Sequence, residues 1–160
     1  MINWKIIISM LELIEFIILI EKGDKQMIGK LPKNILEAFL ETIPLEFSLL
    51  DANDKVLAWN KHETRIFKRP AAALGRDVAN CHPKKSLAKV EQIIKEMKKG
   101  KREKARFWIN LPIGPNHESQ KVLIEYYALR DNEDNYLGCL EASQNINGIQ
   151  MIKGEKRLLD

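Results

Sequence analysis

Along the second two-thirds of the chain, apolar and polar residues alternate in short runs, and one stretch breaks that rhythm with a helical one. Leu87, Val90, Ile93, Ile94 and Met97 recur at spacings of three and four, which puts them on one helical face, while Lys89, Lys95, Glu96 and Lys99 fall on the opposite face. Pro83 suits the start of this helix and Gly100 its end, and Lys95, Lys98 and Lys99 sit where the helix dipole favours cations. Before it, residues 46–51 and 56–60 are apolar runs around the turn residues Ala52, Asn53, Asp54 and Lys55, which predicts a β-hairpin. After it come three more strands. Residues 104–113 alternate through Ala105, Phe107, Ile109 and Leu111; residues 121–131 alternate through Val122, Ile124, Tyr126 and Ala128; residues 136–146 close the set. Residues 114–119 and 131–135 have turn composition, and Gly138 inside the last strand signals a bulge or a close approach by another group. Between hairpin and central helix, residues 62–70 and 71–77 read as two short helical pieces, broken by Pro70 and ended near Gly75.

The first 44 residues follow a different pattern. From Trp4 to Ile20, 13 of 17 residues are apolar, with Lys5, Ser9, Glu12 and Glu15 forming one narrow polar stripe on a helix. Two mid-segment glutamates, scored as aspartate is, would each cost about 2.5 to 3.5 kcal/mol in hydrocarbon. A dimerising or packing helix is therefore expected in place of a membrane span. Residues 23–32 read as a linker. Asn34 with Glu37 has the capping-box spacing, and Ile35, Leu36, Phe39, Leu40 and Ile43 give a second helix that Pro44 ends. The expected organisation is an apolar helix and linker over 1–31, a sheet domain with its leading helix over 32–148, and a connector over 149–160. Residues 1–44 are expected to hold a homodimer.

Composition narrows the chemistry. With 160 residues, 45% hydrophobic and 30% charged, the chain suits one domain with appendages. The net charge of +4 is spread along helices and loops without interleaved aromatics, so no nucleic-acid partner is expected. Two cysteines far apart, with no secretory cleavage pattern, point to a reducing, cytoplasmic setting. Cys81-His82-Pro83 is the one place where two potential metal ligands adjoin. It reads either as a haem or metal ligand, or as a packed entrance to the central helix with Cys81 as a small buried residue. His62 and His117 fall in exposed positions. No serine lies in a Gly-x-Ser-x-Gly context and the carboxylates read as scattered over surface faces, so no enzyme is expected. The aromatics Trp59, Phe67, Phe107, Trp108, Tyr126 and Tyr127 read as core more than as a cofactor cage.

The element order, two strands, short helices, one longer helix and three strands, resembles a PAS domain. Asp51-Ala52-Asn53-Asp54-Lys55 is similar to the turn between the first two PAS strands, and Asn60 stands where such domains often carry an asparagine. Gly75-Arg76, Asn80-Cys81-His82-Pro83, Lys85-Ser86, Phe107-Trp108-Ile109-Asn110 and Tyr136-Leu137-Gly138-Cys139-Leu140-Glu141 resemble the PAS domain of prokaryotic proteins that often carry a hemerythrin-like domain upstream. Lys84 stands where that group commonly has a second proline, and 160 residues leave no room for the hemerythrin-like part. The resemblance implies an α+β fold: a five-stranded antiparallel sheet with helices over one face, preceded by N-terminal helices. It also implies a sensory or regulatory module that binds a small ligand or mediates protein–protein contact. The alternatives are a ligand-free homodimerisation module with a self-filled core, and a haem-binding redox or gas sensor through His82. The candidate ligand-binding residues are His82, Cys81, Asn60, Phe107, Ile109, Tyr126 and Leu140. No metal is assigned and the cofactor stays open: no flavin signature of the light-sensing type is present, and haem is the candidate that His82 offers.

Overall fold

The computed structural model describes residues 30–61 and 65–158. The Trp4–Ile20 helix, most of the linker, most of the proposed dimerising segment and His62 lie outside the described residues. Two compact units divide the chain at residues 40 and 41. The leading helix, Lys33–Thr42, crosses that boundary. It starts one residue before the expected cap: the Pro32 carbonyl accepts from Ile35 N and Leu36 N, which puts Asn34 inside the first turn. Ile35 and Phe39 on its apolar face are about half exposed.

The second unit contains five strands, β1 (Glu46–Asp51), β2 (Val56–Trp59), β3 (Lys104–Pro112), β4 (Ser119–Arg130) and β5 (Tyr136–Asn145). They form one antiparallel sheet in the order β2-β1-β5-β4-β3. The expected α+β architecture is present. Two turns share one device. Asp51 Oδ1 accepts from Asn53 N and Lys55 N, and Asp131 Oδ1 accepts from Glu133 N and Asn135 N. Each side chain satisfies amides that the sharp turn would strand. The free edge of β2 is covered by the segment around Arg76, whose carbonyl accepts from Val56 N.

The central helix, Lys84–Lys98, buries Val90, Ile94 and Met97, the face its spacing predicts. Its C-terminus closes with Gly100 N bonded to Met97 O and Lys101 N to Glu96 O, with Gly100 at φ 66°. This paired closure needs the left-handed residue that glycine supplies without a Cβ penalty. Arg130 of β4 adds a 2.6 Å bond to the Met97 carbonyl, tying the helix end to the sheet. Beneath the helix lie Val122, Ile124, Tyr126, Ala105, Leu50, Val56 and Cys139, all buried. Phe107 stacks on Tyr126 with ring centroids 5.8 Å apart.

Gly138 is where the last strand meets β1 most closely. A Cβ built there would lie 2.1 Å from the Leu50 carbonyl oxygen. Beside it the β4–β5 register shifts, Leu129 pairing with Gly138 but Arg130 with Tyr136, so Leu137 bulges out. The close approach and the bulge that the isolated glycine signals are both present. The region 62–70, expected as a helix, is irregular over its described part, 65–70. Residues 71–81 form two short 3-10 turns, Ala71–Ala73 and Val78–Cys81. After β5, only Asn147–Gln150 is helical among the described residues.

Candidate functional site

Pro83 sets the geometry of the site. A proline restricts the residue before it to extended backbone, and His82 has φ −119° and ψ 144°. The imidazole thereby folds back over the preceding turn, where the Asp77 side chain caps by accepting from Ala79 N. His82 Nδ1 lies 3.1 Å from the Val78 carbonyl and Nε2 lies 3.2 Å from the Tyr126 hydroxyl. A carbonyl only accepts, so Nδ1 carries a proton. The Tyr126 hydroxyl also lies 2.9 Å from Glu141 Oε2. Tyr126 has a single hydroxyl proton, so holding both contacts as hydrogen bonds takes another, from His82 Nε2 or from Glu141. Burial, with the Glu141 carboxylate next, raises the Tyr126 phenol well above its ordinary range and keeps it protonated.

From Glu141 the polar chain continues across the sheet. Arg69 Nη2 lies 3.3 Å from Glu141 Oε1, and Arg69 Nε lies 3.3 Å from Ser48 Oγ. Arg65 Nη2 donates to the same Ser48 oxygen at 3.0 Å and lies 3.6 Å from Glu46 Oε1. The Glu46 carboxylate also accepts from the backbone amides of Ile66 and Phe67. Burial raises its pKa, opposed by those amides and by Arg65. Beside it, Ser143 Oγ is buried with no hydrogen-bond partner among the described residues. Glu46 and Ser143 face each other across the β1–β5 ladder. The carboxylates expected on surface faces are thus partly inside: Glu46 is 5% and Glu141 8% exposed. Each is matched by a guanidinium, which is what makes a buried carboxylate tolerable.

Of the candidate residues, His82 and Tyr126 meet directly, and Phe107 stacks on Tyr126. Asn60 is buried, but its amide works within the chain: Oδ1 accepts from Phe47 N and Arg65, and Nδ2 donates to Leu45 O, clamping β2 to the start of β1. Cys81 is half-buried against the core, with Sγ 3.5 Å from Asp77 O. Ile109 shares the face of Phe107 yet is 37% exposed. Leu140 is corrected: it pairs with Tyr127 and Leu49, on the sheet face opposite Cys139 and Glu141, so it does not line the interior. The site residues that sequence reasoning missed are Glu46, Ser48, Arg65, Arg69, Glu141 and Ser143. Their only local signal is the pair of arginines, Arg65 and Arg69, within one short segment.

A haem iron at His82 Nε2 would have to displace the Tyr126 hydroxyl, and Tyr126, Met97, Val122 and Cys139 already fill the space beneath the helix that the macrocycle would need; the residues present do not fit that group. Among the described residues, no three metal-ligating side chains come together. Cys139 is fully buried, and burial pushes its thiol up to about 12, which removes it from thiolate chemistry. Among the described residues, no helix is long and apolar enough to cross a membrane.

Among curated proteins, none is similar to this chain. Solved structures are similar to it. A C-terminal domain from Streptococcus mutans is 27% identical with a TM-score of 0.67, covering 77% of this chain and 91% of its own. The PAS domain of a Colwellia psychrerythraea protein is 13% identical with a TM-score of 0.53, covering 72% and 97%. The VqmA dimer of Vibrio cholerae, described as a LuxR-type receptor, is 15% identical with a TM-score of 0.54, covering 80% of this chain and 60% of that one. The family model described as PAS domain matches residues 36–147, most of the chain. A sheet in the order β2-β1-β5-β4-β3 under a single long helix agrees with that match, and the chain belongs to the PAS domain family.

Proposed function

We propose that this PAS domain is a sensory or regulatory module that holds a small ligand and passes its presence to the loop entering the central helix. The observation that carries this reading is the continuous, largely buried polar chain Glu46–Arg65–Ser48–Arg69–Glu141–Tyr126–His82. A packed PAS-type core does not need such a chain for stability, because buried ion pairs often contribute no more than apolar residues of the same volume. What it does supply is a set of groups that respond together when one member changes partner. Of the candidate residues, His82 and Tyr126 are assigned to this responsive chain, with Phe107 and Cys81 packing around it.

A second reading, a ligand-free homodimerisation module, is favoured by one observation. The space beneath the central helix is filled by the chain's own Met97, Tyr126, Val122 and Cys139, all fully buried. The half-exposed Ile35 and Phe39 of the leading helix support a homodimer under either reading. VqmA, similar in fold, is itself described as a dimer.

Amide hydrogen exchange separates the two readings. The full chain purified under native conditions is compared with the same chain unfolded, desalted and refolded to remove anything retained. The sensory reading predicts faster exchange over residues 78–83 in the stripped chain, because the anchor of His82 loosens. Identical exchange in both preparations supports the self-filled module.

A further inference from the structure

Where the chain enters β1 and leaves β5, a cleft of about 770 Å³ opens at the end of the sheet. Glu46, Arg65 and Ser143 bring inward-facing polar groups to it, Lys68 and His117 add solvent-exposed side chains, and Pro44, Ile66 and Ile113 bring apolar surface. This is not the space under the central helix, which the core side chains fill.

The chemistry of the lining selects an occupant. Arg65 turns Nε to Phe67 O, Nη1 to Phe47 O, Asn60 O and Asn60 Oδ1, and Nη2 to Ser48 Oγ and, at 3.6 Å, to Glu46 Oε1, so its N–H groups are directed at the chain's own acceptors. Glu46 is compensated by Arg65 and by the amides of Ile66 and Phe67. A ligand charge placed against this pair would be desolvated without a counter-charge of its own. Among the buried lining groups, what lacks a partner is neutral. Ser143 is 2% exposed and its hydroxyl is bonded to nothing among the described residues, which is costly unless something binds there. A buried, unpartnered hydroxyl beside apolar surface suits a small, mostly apolar molecule with one hydrogen-bonding function.

We propose that this cleft is a binding site for a compact, uncharged molecule bearing a hydroxyl or amide group, with the Ser143 hydroxyl as its hydrogen-bond partner. The proposal rests on the sensory reading and supplies its site. An occupant would touch Pro44 at the incoming chain and Asn145 and Gly148 at the outgoing chain, the two segments through which a domain of this topology connects to its neighbours. It would also adjoin Glu46 and Arg65, the outer end of the polar chain that ends at His82.

The test is a heteronuclear NMR titration of the full chain, refolded free of anything retained, with N-methylacetamide and 2,3-butanediol as probes and acetate and methylammonium as charged controls. The expected result is a saturable shift of the Gly114, Gln144 and Gly148 amide signals with the neutral probes alone. Ser143→Ala should weaken that binding about tenfold, the worth of one hydrogen bond, while leaving the melting temperature unchanged or higher because an unpartnered buried hydroxyl is gone. Equal binding by the charged controls, undiminished binding by Ser143→Ala, or no shift with any probe would overturn the assignment. If natively purified protein still carries a ligand when the cleft fails this test, the sensory reading stands and the site lies elsewhere. If it carries none, both fail.

Discussion

Replacing Arg65 by methionine is expected to destabilise the domain by about 3 to 5 kcal/mol, the cost of removing one member of a buried ion pair. The Arg65 side chain is 10% exposed and that of Glu46 is 5% exposed. Methionine keeps most of the volume, so the loss isolates the guanidinium. Its removal leaves the Phe47 and Asn60 carbonyls short of a donor and Glu46 facing the interior with only two amides to compensate it. Because the penalty comes mainly from the stranded carboxylate, the double substitution Arg65→Met with Glu46→Gln should recover part of it. Urea unfolding of the full chain measures both. A single variant within about 1 kcal/mol of the parent would show that water already compensates Glu46 and that the polar chain is no coupled unit.

Gly138→Ala carries the other large effect. The added methyl group would meet the Leu50 carbonyl oxygen at 2.1 Å, and that oxygen belongs to the β1 backbone, not to a side chain that could swing away. The residue also has φ 155°, a conformation that side-chain-bearing residues rarely adopt. Relief would need β1 and β5 to separate in the middle of the sheet. The expected loss is about 3 kcal/mol, or a melting temperature lower by about 10 °C. A thermal melt of this variant indistinguishable from the parent would mean that the two strands are not held as closely as described.

What was legible in the sequence is what depends on neighbours along the chain. The central helix declared itself because Val90, Ile94 and Met97 repeat with the helical period, and β4 because Val122, Ile124 and Tyr126 repeat with period two. Gly138 was legible as an exception inside a strand. The polar interior was not, because alternation alone assigns apolar residues inward. In β1 the rule runs in reverse at one end: Glu46 and Ser48 face in and Phe47 and Leu49 do not, since Arg65 and Arg69 arrive from a later segment to compensate them. The same segment explains the missing helix. Ile66 and Phe67 give their amide protons to the Glu46 carboxylate, about twenty residues back, in place of helix carbonyls, a partner that no local window reveals. Leu140 was misplaced by one register step. The bulge at Leu137 shifts the pairing of β5 on β4, so that Cys139 and Glu141 take the inner positions. His82 and Tyr126, 44 residues apart, could each be singled out by type, but their contact depends on the long-range fold.

Intact mass measurement of the full chain, purified without denaturation, tests the sensory reading most directly. The account predicts a species heavier than the sequence mass by one small uncharged molecule per chain, with the excess lost on denaturation and reduced by Ser143→Ala. A bare chain mass in the native preparation, whether as monomer or dimer, would contradict it.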